Sequence, residues 1–186
     1  REPDLFKLEL EALKKVRSLY DNLWLMIPFV RTLDEFEKVK VLIEEAGLER
    51  GPDFKLWMMV EVPSNVILIE RFCKAGIDGV SIGSNDLTQL ILGIDRDNKD
   101  LAEEFDERDE AVRLAIAHVI KVCRRYHKTV SICGQAATTY PEIAELMVKE
   151  GATSVSVSPD SVVATRRLIA SVEKKILLSQ VIDEEE

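Results

Sequence analysis

The chain has 186 residues, 46% of them hydrophobic and 32% charged, with a net charge of −9. That length suits one domain with a sizeable core, and that balance excludes a disordered chain. The acidic surplus disfavours nucleic acid or an anionic membrane as partner, no apolar run reaches the ~18 residues of a membrane-crossing helix, and no secretory signal segment is visible.

The chain opens Arg1-Glu2-Pro3-Asp4 without an initiator Met, as expected of a piece of something longer. Leu5 to Leu19 has helical apolar spacing (Leu5, Leu8, Ala12, Val16, Leu19). Leu23 to Val30, LWLMIPFV, reads as a buried strand. Thr32 is placed to cap a helix from Leu33 to Ala46, which Gly47 ends. Lys55 to Val62 is a second strand, and Pro63-Ser64 opens a helix to about Lys74, ended by Gly76. Gly79 to Gly83 is a third strand, and Ser84-Asn85-Asp86 starts a short helix. A polar loop spans Arg96 to Asp109, followed by a long helix from Glu110 to Tyr126. Thr129 to Cys133 is a fourth strand, Tyr140 to Lys149 a helix closed by Gly151, and Thr153 to Val157 a fifth strand. Ser158-Pro159-Asp160 caps a last helix to about Lys175, and residues 176–186 form an acidic tail ending in DEEE.

Strands alternating with helices predict βαβ units and a parallel α/β sheet, with strands apolar on both faces. Two architectures fit: an open doubly wound sheet, or part of a (β/α)₈ TIM barrel. A full barrel needs about 250 residues and eight units. Five strands would make residues 1–175 the second part of such a barrel, strands four to eight, with the earlier units upstream.

The polar residues worth singling out fall at strand ends. Arg31 follows the first strand, Glu61 ends the second, Asn85 and Asp86 follow the third, Cys133 ends the fourth, and Ser158 and Asp160 follow the fifth. In parallel α/β folds the C-terminal strand ends share one rim, where sites are built. Glu61 and Asp86 form the sharpest pair: two carboxylates completed by substrate oxygens and water suit Mg²⁺. The competing reading is a strand-end Glu bonded to backbone or Arg, with Asp86 capping a helix. Cys133 sits in SICGQ, either as a reactive thiol or as inert core. Gly83-Ser84-Asn85-Asp86 turns into a helix N-terminus that can hold phosphate or carboxylate, but lacks the Lys-Ser/Thr of a P-loop. Arg96 is a phosphate grip or a surface ion pair. Cys73 and Cys123 read as core, and His118 and His127 as surface or packing residues. Three cysteines without paired spacing fit a reducing cytoplasm rather than a disulfide framework or zinc site.

Residues 78–96, DGVSIGSNDLTQLILGIDR, resemble the signature of the phosphoenolpyruvate-utilising enzymes, and VEVPSNV at 60–66, FDERDEAV at 105–112, SICGQ at 131–135 and SVSPDSV at 156–162 agree with it. The family includes phosphoenolpyruvate synthases, pyruvate phosphate dikinases and the Enzyme I proteins of the sugar phosphotransferase system. PSNV, the GIDRD…FDER spacing and Gln135 look most like the synthase branch, with the other two branches as alternatives. The resemblance implies the second part of a (β/α)₈ barrel that binds phosphoenolpyruvate or pyruvate. It implies Glu61 and Asp86 as ligands of Mg²⁺, with Mn²⁺ as the alternative metal. It also implies Asn85, with Ser84 and Gly83 beside it, as a substrate contact, Arg96 as a phosphate contact, Cys133 as the acid/base at the methylene carbon, and Gly134 and Gln135 as the turn around it. The implied reaction takes pyruvate, ATP and water to phosphoenolpyruvate, AMP and phosphate. The phosphohistidine and ATP-binding domains would lie upstream, so these residues alone should be inactive. Family barrels commonly dimerise, and a self-assembly role is the rival reading. After Gln135 the chain departs from the synthase pattern, with Ala136-Ala137-Thr138 where a small residue and Pro-Ser are usual.

Overall fold

The structure is a computed structural model and describes residues 3–98 and 100–183. Four strands, β1 Leu25–Ile27, β2 Leu56–Val60, β3 Gly79–Gly83 and β4 Thr129–Cys133, form one parallel sheet. The helices are α1 Pro3–Arg17, α2 Leu33–Glu45, α3 Pro63–Ile67, α4 Ile69–Ala75, α5 Ser84–Leu92, α6 Glu110–Arg125, α7 Ala136–Thr139, α8 Pro141–Glu150 and α9 Val162–Asp183. Spatial strand order equals chain order. A doubly wound sheet reverses its order at a switch point, whereas a barrel adds each unit beside the last. The order therefore selects the partial (β/α)₈ reading.

One face of the sheet is closed. Leu56, Met58, Val60, Val80, Ile82, Val130 and Ile132 are fully buried, packed in one core with Phe36, Phe72, Ile116 and Ile120 from α2, α4 and α6. The other face alternates with it. It was expected to be apolar too, but β3 and β4 place Gly79, Ser81, Gly83, Thr129, Ser131 and Cys133 there. Towards β1 it presents Met26, with stacked Trp24 and Trp57 rings 6.3 Å apart, beside an open groove of about 320 Å³. Trp24 is 50% exposed. A small polar inner face lets the backbone come close to whatever fills a barrel interior.

Several expected boundaries shift for local reasons. The first strand keeps three of its eight expected residues, because Pro28 has no N–H for a ladder and Phe29 turns to φ 52°. The helix expected over 63–74 breaks at Leu68 into α3 and α4. The fifth strand does not form a full ladder. Thr153 and Ser154 N–H donate to the Val130 carbonyl and Ser156 N–H to Ile132, so the segment runs beside β4 with one side bonded. The last helix continues past Lys175 to Asp183, so most of the expected tail is helical, and residues 184–186 lie outside the described residues.

Phe36 and Phe72 meet edge to face at 6.0 Å, both fully buried between α2 and α4. Phe72→Ala is expected to lower the unfolding free energy by about 3–5 kcal/mol, read as a lower urea midpoint with unchanged slope.

Candidate active site

The chain turns at the end of each strand bring the site together. Glu61 follows β2 and is 4% exposed. Its Oε1 accepts the Phe29 N–H at 2.6 Å. Phe29 is a bulky residue held in the left-handed region (φ 52°), a strained conformation that aims this N–H at Glu61. Asn65 supports the same corner. Its carbonyl accepts the Val62 N–H at 3.1 Å and its amide donates to the Val30 carbonyl at 2.5 Å, tying the end of β2 to the segment after β1. Burial raises the Glu61 carboxyl above its ordinary value; the Phe29 N–H opposes this, and the charge of Asp86 adds to it. Across β3, Gly83 leaves room for the carboxylate, since a Cβ there would stand 3.0 Å from Glu61 Oε2.

Ser84 and Asn85 open α5. Ser84, fully buried, donates its hydroxyl to the Cys133 carbonyl at 3.1 Å. Cys133 Sγ donates to the Ile82 carbonyl at 3.4 Å. The side chain of Cys133 is partly open, unlike buried Cys73 and Cys123, which face each other inside the core. Gly134 has φ +92°, and a Cβ there would stand 2.5 Å from Ser84 Oγ and press on the Asn85 amide. Gly134→Ala is expected to lower the melting temperature of the chain through strain of about 1–3 kcal/mol, and to loosen Ser84 and Asn85 together.

The Asn85 amide is oriented by its neighbours. Its N–H₂ donates to Glu107 at 2.9 Å and to Ser84 Oγ at 3.3 Å, and its carbonyl accepts from Arg96 Nη1 at 3.1 Å. Arg96, from the loop after α5, thus reaches the rim. Glu107, only 5% exposed, was not singled out from the sequence. Burial raises its carboxyl above the ordinary value, opposed by nearby Ser84 and by the Arg96 charge. Glu107 lies in the acidic stretch FDERDEAV, where nothing in the spacing separates it from its exposed neighbours.

The structure therefore brings Glu61, Gly83, Ser84, Asn85, Arg96, Cys133 and Gly134 to one rim, with Asp86 near enough to act on Glu61. Gln135 is an exposed member of the turn after Cys133. Arg31 lies at the edge, exposed, its guanidinium 4.8 Å over the Phe29 ring. Ser158 and Asp160 are exposed, and Ser158 bonds locally to Ser161. His118 and His127 are exposed away from the rim. Asp78, at the opposite end of β3, holds Arg50 bidentately at 2.6 and 2.9 Å and accepts the Leu56 N–H.

The donor set fits a hard divalent cation. Glu61 stands beside Gly83, and the charge of Asp86, in the first turn of α5, bears on its carboxylate. Among the described residues no group of three or more His, Cys, Asp or Glu forms a cage, and Mg²⁺ is usually held by one or two carboxylates plus water and substrate oxygens. A cleft of about 610 Å³ lies elsewhere, between α8 and α9. It lacks this convergence of carboxylate, amide, guanidinium and thiol. Among the described residues no helix is long and apolar enough to cross a membrane.

Residues 1–174 match the family model of the PEP-binding domain of PEP-utilising enzymes. The probable phosphoenolpyruvate synthase of Staphylothermus marinus is 55% identical over 179 residues, covering 94% of this chain and 21% of that protein. The phosphoenolpyruvate synthase of Aeropyrum pernix is 52% identical, covering 94% of this chain and 22% of that protein. The chain thus spans about a fifth of the length of these relatives. Among solved structures, RipC from Yersinia pestis aligns with TM-score 0.58 at 16% identity, over 86% of this chain and 68% of that one. An HpcH/HpaI aldolase/citrate lyase family protein from Burkholderia cenocepacia aligns with TM-score 0.55 at 20% identity, over 81% and 65%. These two likenesses concern the fold.

Proposed function

We propose, from the premise that this chain belongs to the family of PEP-utilising enzymes, that it forms the enolate-handling half of a phosphoenolpyruvate synthase active site. The observation that carries the reading is the meeting of Glu61, Asn85 and Cys133 at the ends of three adjacent strands, with Asp86 and Arg96 beside them. The reaction of the complete protein is then formation of phosphoenolpyruvate from pyruvate, ATP and water.

Each residue has a distinct task in that reaction. Glu61 and Asp86 would hold Mg²⁺, which when bound would supply Lewis-acid stabilisation of the enolate charge. The Phe29 N–H fixes the Glu61 carboxylate in place and opposes the effect of its burial. Arg96, aimed by Asn85, grips the transferring phosphoryl group. Cys133 gives a proton to the methylene carbon of the enolate, or removes one from the pyruvate methyl in the other direction. Gly134 lets Cys133 and Asn85 sit close enough to face one substrate.

The open inner face explains why the piece should not work alone. Trp24, Met26 and Trp57 await a partner surface. We assign that role to earlier barrel strands of the same polypeptide, which also bring further phosphate-binding arginines, while the phosphohistidine and the ATP site belong to separate domains of the complete protein. The 186 residues alone are expected to form no phosphoenolpyruvate from ATP and pyruvate in a coupled assay. Turnover by this chain alone would overturn the assignment. The complete protein should turn over under the same conditions.

A further inference from the structure

We infer that Glu107 is a positioning residue of this site, which fixes the Asn85 amide and through it aims the Arg96 guanidinium at the anionic end of the ligand. The inference rests on the enolate-site reading above and names a residue which that reading does not use.

A side-chain amide has two nearly isosteric orientations, with oxygen and nitrogen exchanged. At Asn85 they are far from equal. In one, the N–H₂ group faces the Glu107 carboxylate at 2.9 Å and Ser84 Oγ at 3.3 Å, while the carbonyl faces Arg96 Nη1 at 3.1 Å. In the other, the carbonyl would accept long bonds from Ser84 Oγ at 3.3 Å and the Gln135 N–H at 3.4 Å, but it would face the Glu107 carboxylate while the N–H₂ faced the Arg96 guanidinium, two repulsive contacts. Glu107 supplies an acceptor on one side and Arg96 a donor on the other, and together they select one orientation. With both N–H groups engaged inside the protein, Asn85 becomes a relay. Its carbonyl takes one N–H of Arg96 and leaves the rest of that five-donor fork for a ligand.

The location supports a dedicated role. Glu107 is 5% exposed although it comes from a loop of mostly exposed acidic residues. A carboxylate withdrawn from water there needs a hydrogen-bond partner, and its partner is a member of the rim, the Asn85 N–H₂ group at 2.9 Å. Arg96 is itself exposed on the surface side of the loop. Without the relay its long side chain would be free to sample many rotamers, and ordering it would fall to the ligand.

The test uses the complete protein, wild type and with Glu107→Ala, Glu107→Gln, Asn85→Ala and the Glu107→Ala/Asn85→Ala pair. The assays are phosphoenolpyruvate formation and exchange of pyruvate methyl protons, run well below each variant's unfolding midpoint. Glu107→Ala is expected to lower kcat/KM by about 10–100-fold, as loss of a supporting partner does, with folding shown intact by circular dichroism. Glu107→Gln keeps an acceptor oxygen for Asn85 and is expected to recover most of that loss. The double variant is expected to lose no more than Asn85→Ala alone, since Glu107 acts through Asn85. Losses that multiply in the double variant, or a Glu107→Ala protein with wild-type kcat/KM, would overturn the positioning role while leaving the enolate-site reading intact. A wild-type protein with neither activity would overturn both.

Discussion

Cys133→Ser in the complete protein is expected to slow exchange of the pyruvate methyl protons by about 10²–10⁴-fold, the range for loss of a general acid or base. Serine keeps the size and the hydrogen bond that Cys133 Sγ now gives to the Ile82 carbonyl, so the strand end should be undisturbed. A hydroxyl is a far weaker acid than a thiol, however, and cannot trade a proton with carbon at a useful rate. ATP-dependent phosphorylation of the complete protein should be unaffected, because the proposed reading places it on other domains. That split separates a chemical role for the thiol from a packing role. Exchange at the wild-type rate would return Cys133 to the inert reading that a buried strand cysteine otherwise invites.

Glu61→Gln is expected to move stability and activity in opposite directions. Burial is the main cause that raises the Glu61 carboxyl, and nearby Asp86 adds to it. A group whose folded value is raised stabilises the fold fully below its unfolded value and loses that stabilisation as pH rises through the folded value. Ionising this buried carboxylate therefore costs stability in metal-free protein, and the cost grows as pH rises. Glutamine keeps an acceptor for the Phe29 N–H and removes the buried charge. The variant should melt higher without metal, by about 2–4 °C for each kcal/mol relieved, and its advantage should vanish in acid. Mg²⁺ should raise the wild-type melting temperature and leave that of the variant unmoved. Enolate formation should fall by about 10³-fold, since the metal supplies several kcal/mol of charge stabilisation. A variant that melts lower in metal-free buffer, or that keeps its response to Mg²⁺, would contradict this account of the corner.

Which residues were legible in the sequence follows from what sequence patterns encode. Glu61, Asp86 and Cys133 stand out because strand periodicity places polar residues at the ends of apolar runs, and parallel topology gathers those ends. Hydrophobic patterning alone fits two folds, because it gives strands but not their spatial order, and only the family resemblance points to the barrel. The observed order β1-β2-β3-β4 decides between them. Glu107 could not be found this way. Its burial depends on how the loop after α5 folds back, and its side chain is chemically the same as that of exposed Glu103 or Glu104. Phe29 was hidden for a different reason: it lies in an apolar run that reads as strand, and only its positive φ reveals a backbone N–H turned to a carboxylate. The segment 153–157 alternates as a strand should, yet pairs on one side only. Alternation reports which face is buried, not whether a neighbour strand is present.

The most direct measurement is a crystal structure of the complete protein with Mg²⁺ and oxalate, a planar stand-in for the enolate of pyruvate. The account predicts a metal about 2.0–2.1 Å from oxygens of both Glu61 and Asp86, bridged to an oxalate that lies between Cys133 and Arg96. A metal held by other residues, or an oxalate bound away from Cys133, would contradict it.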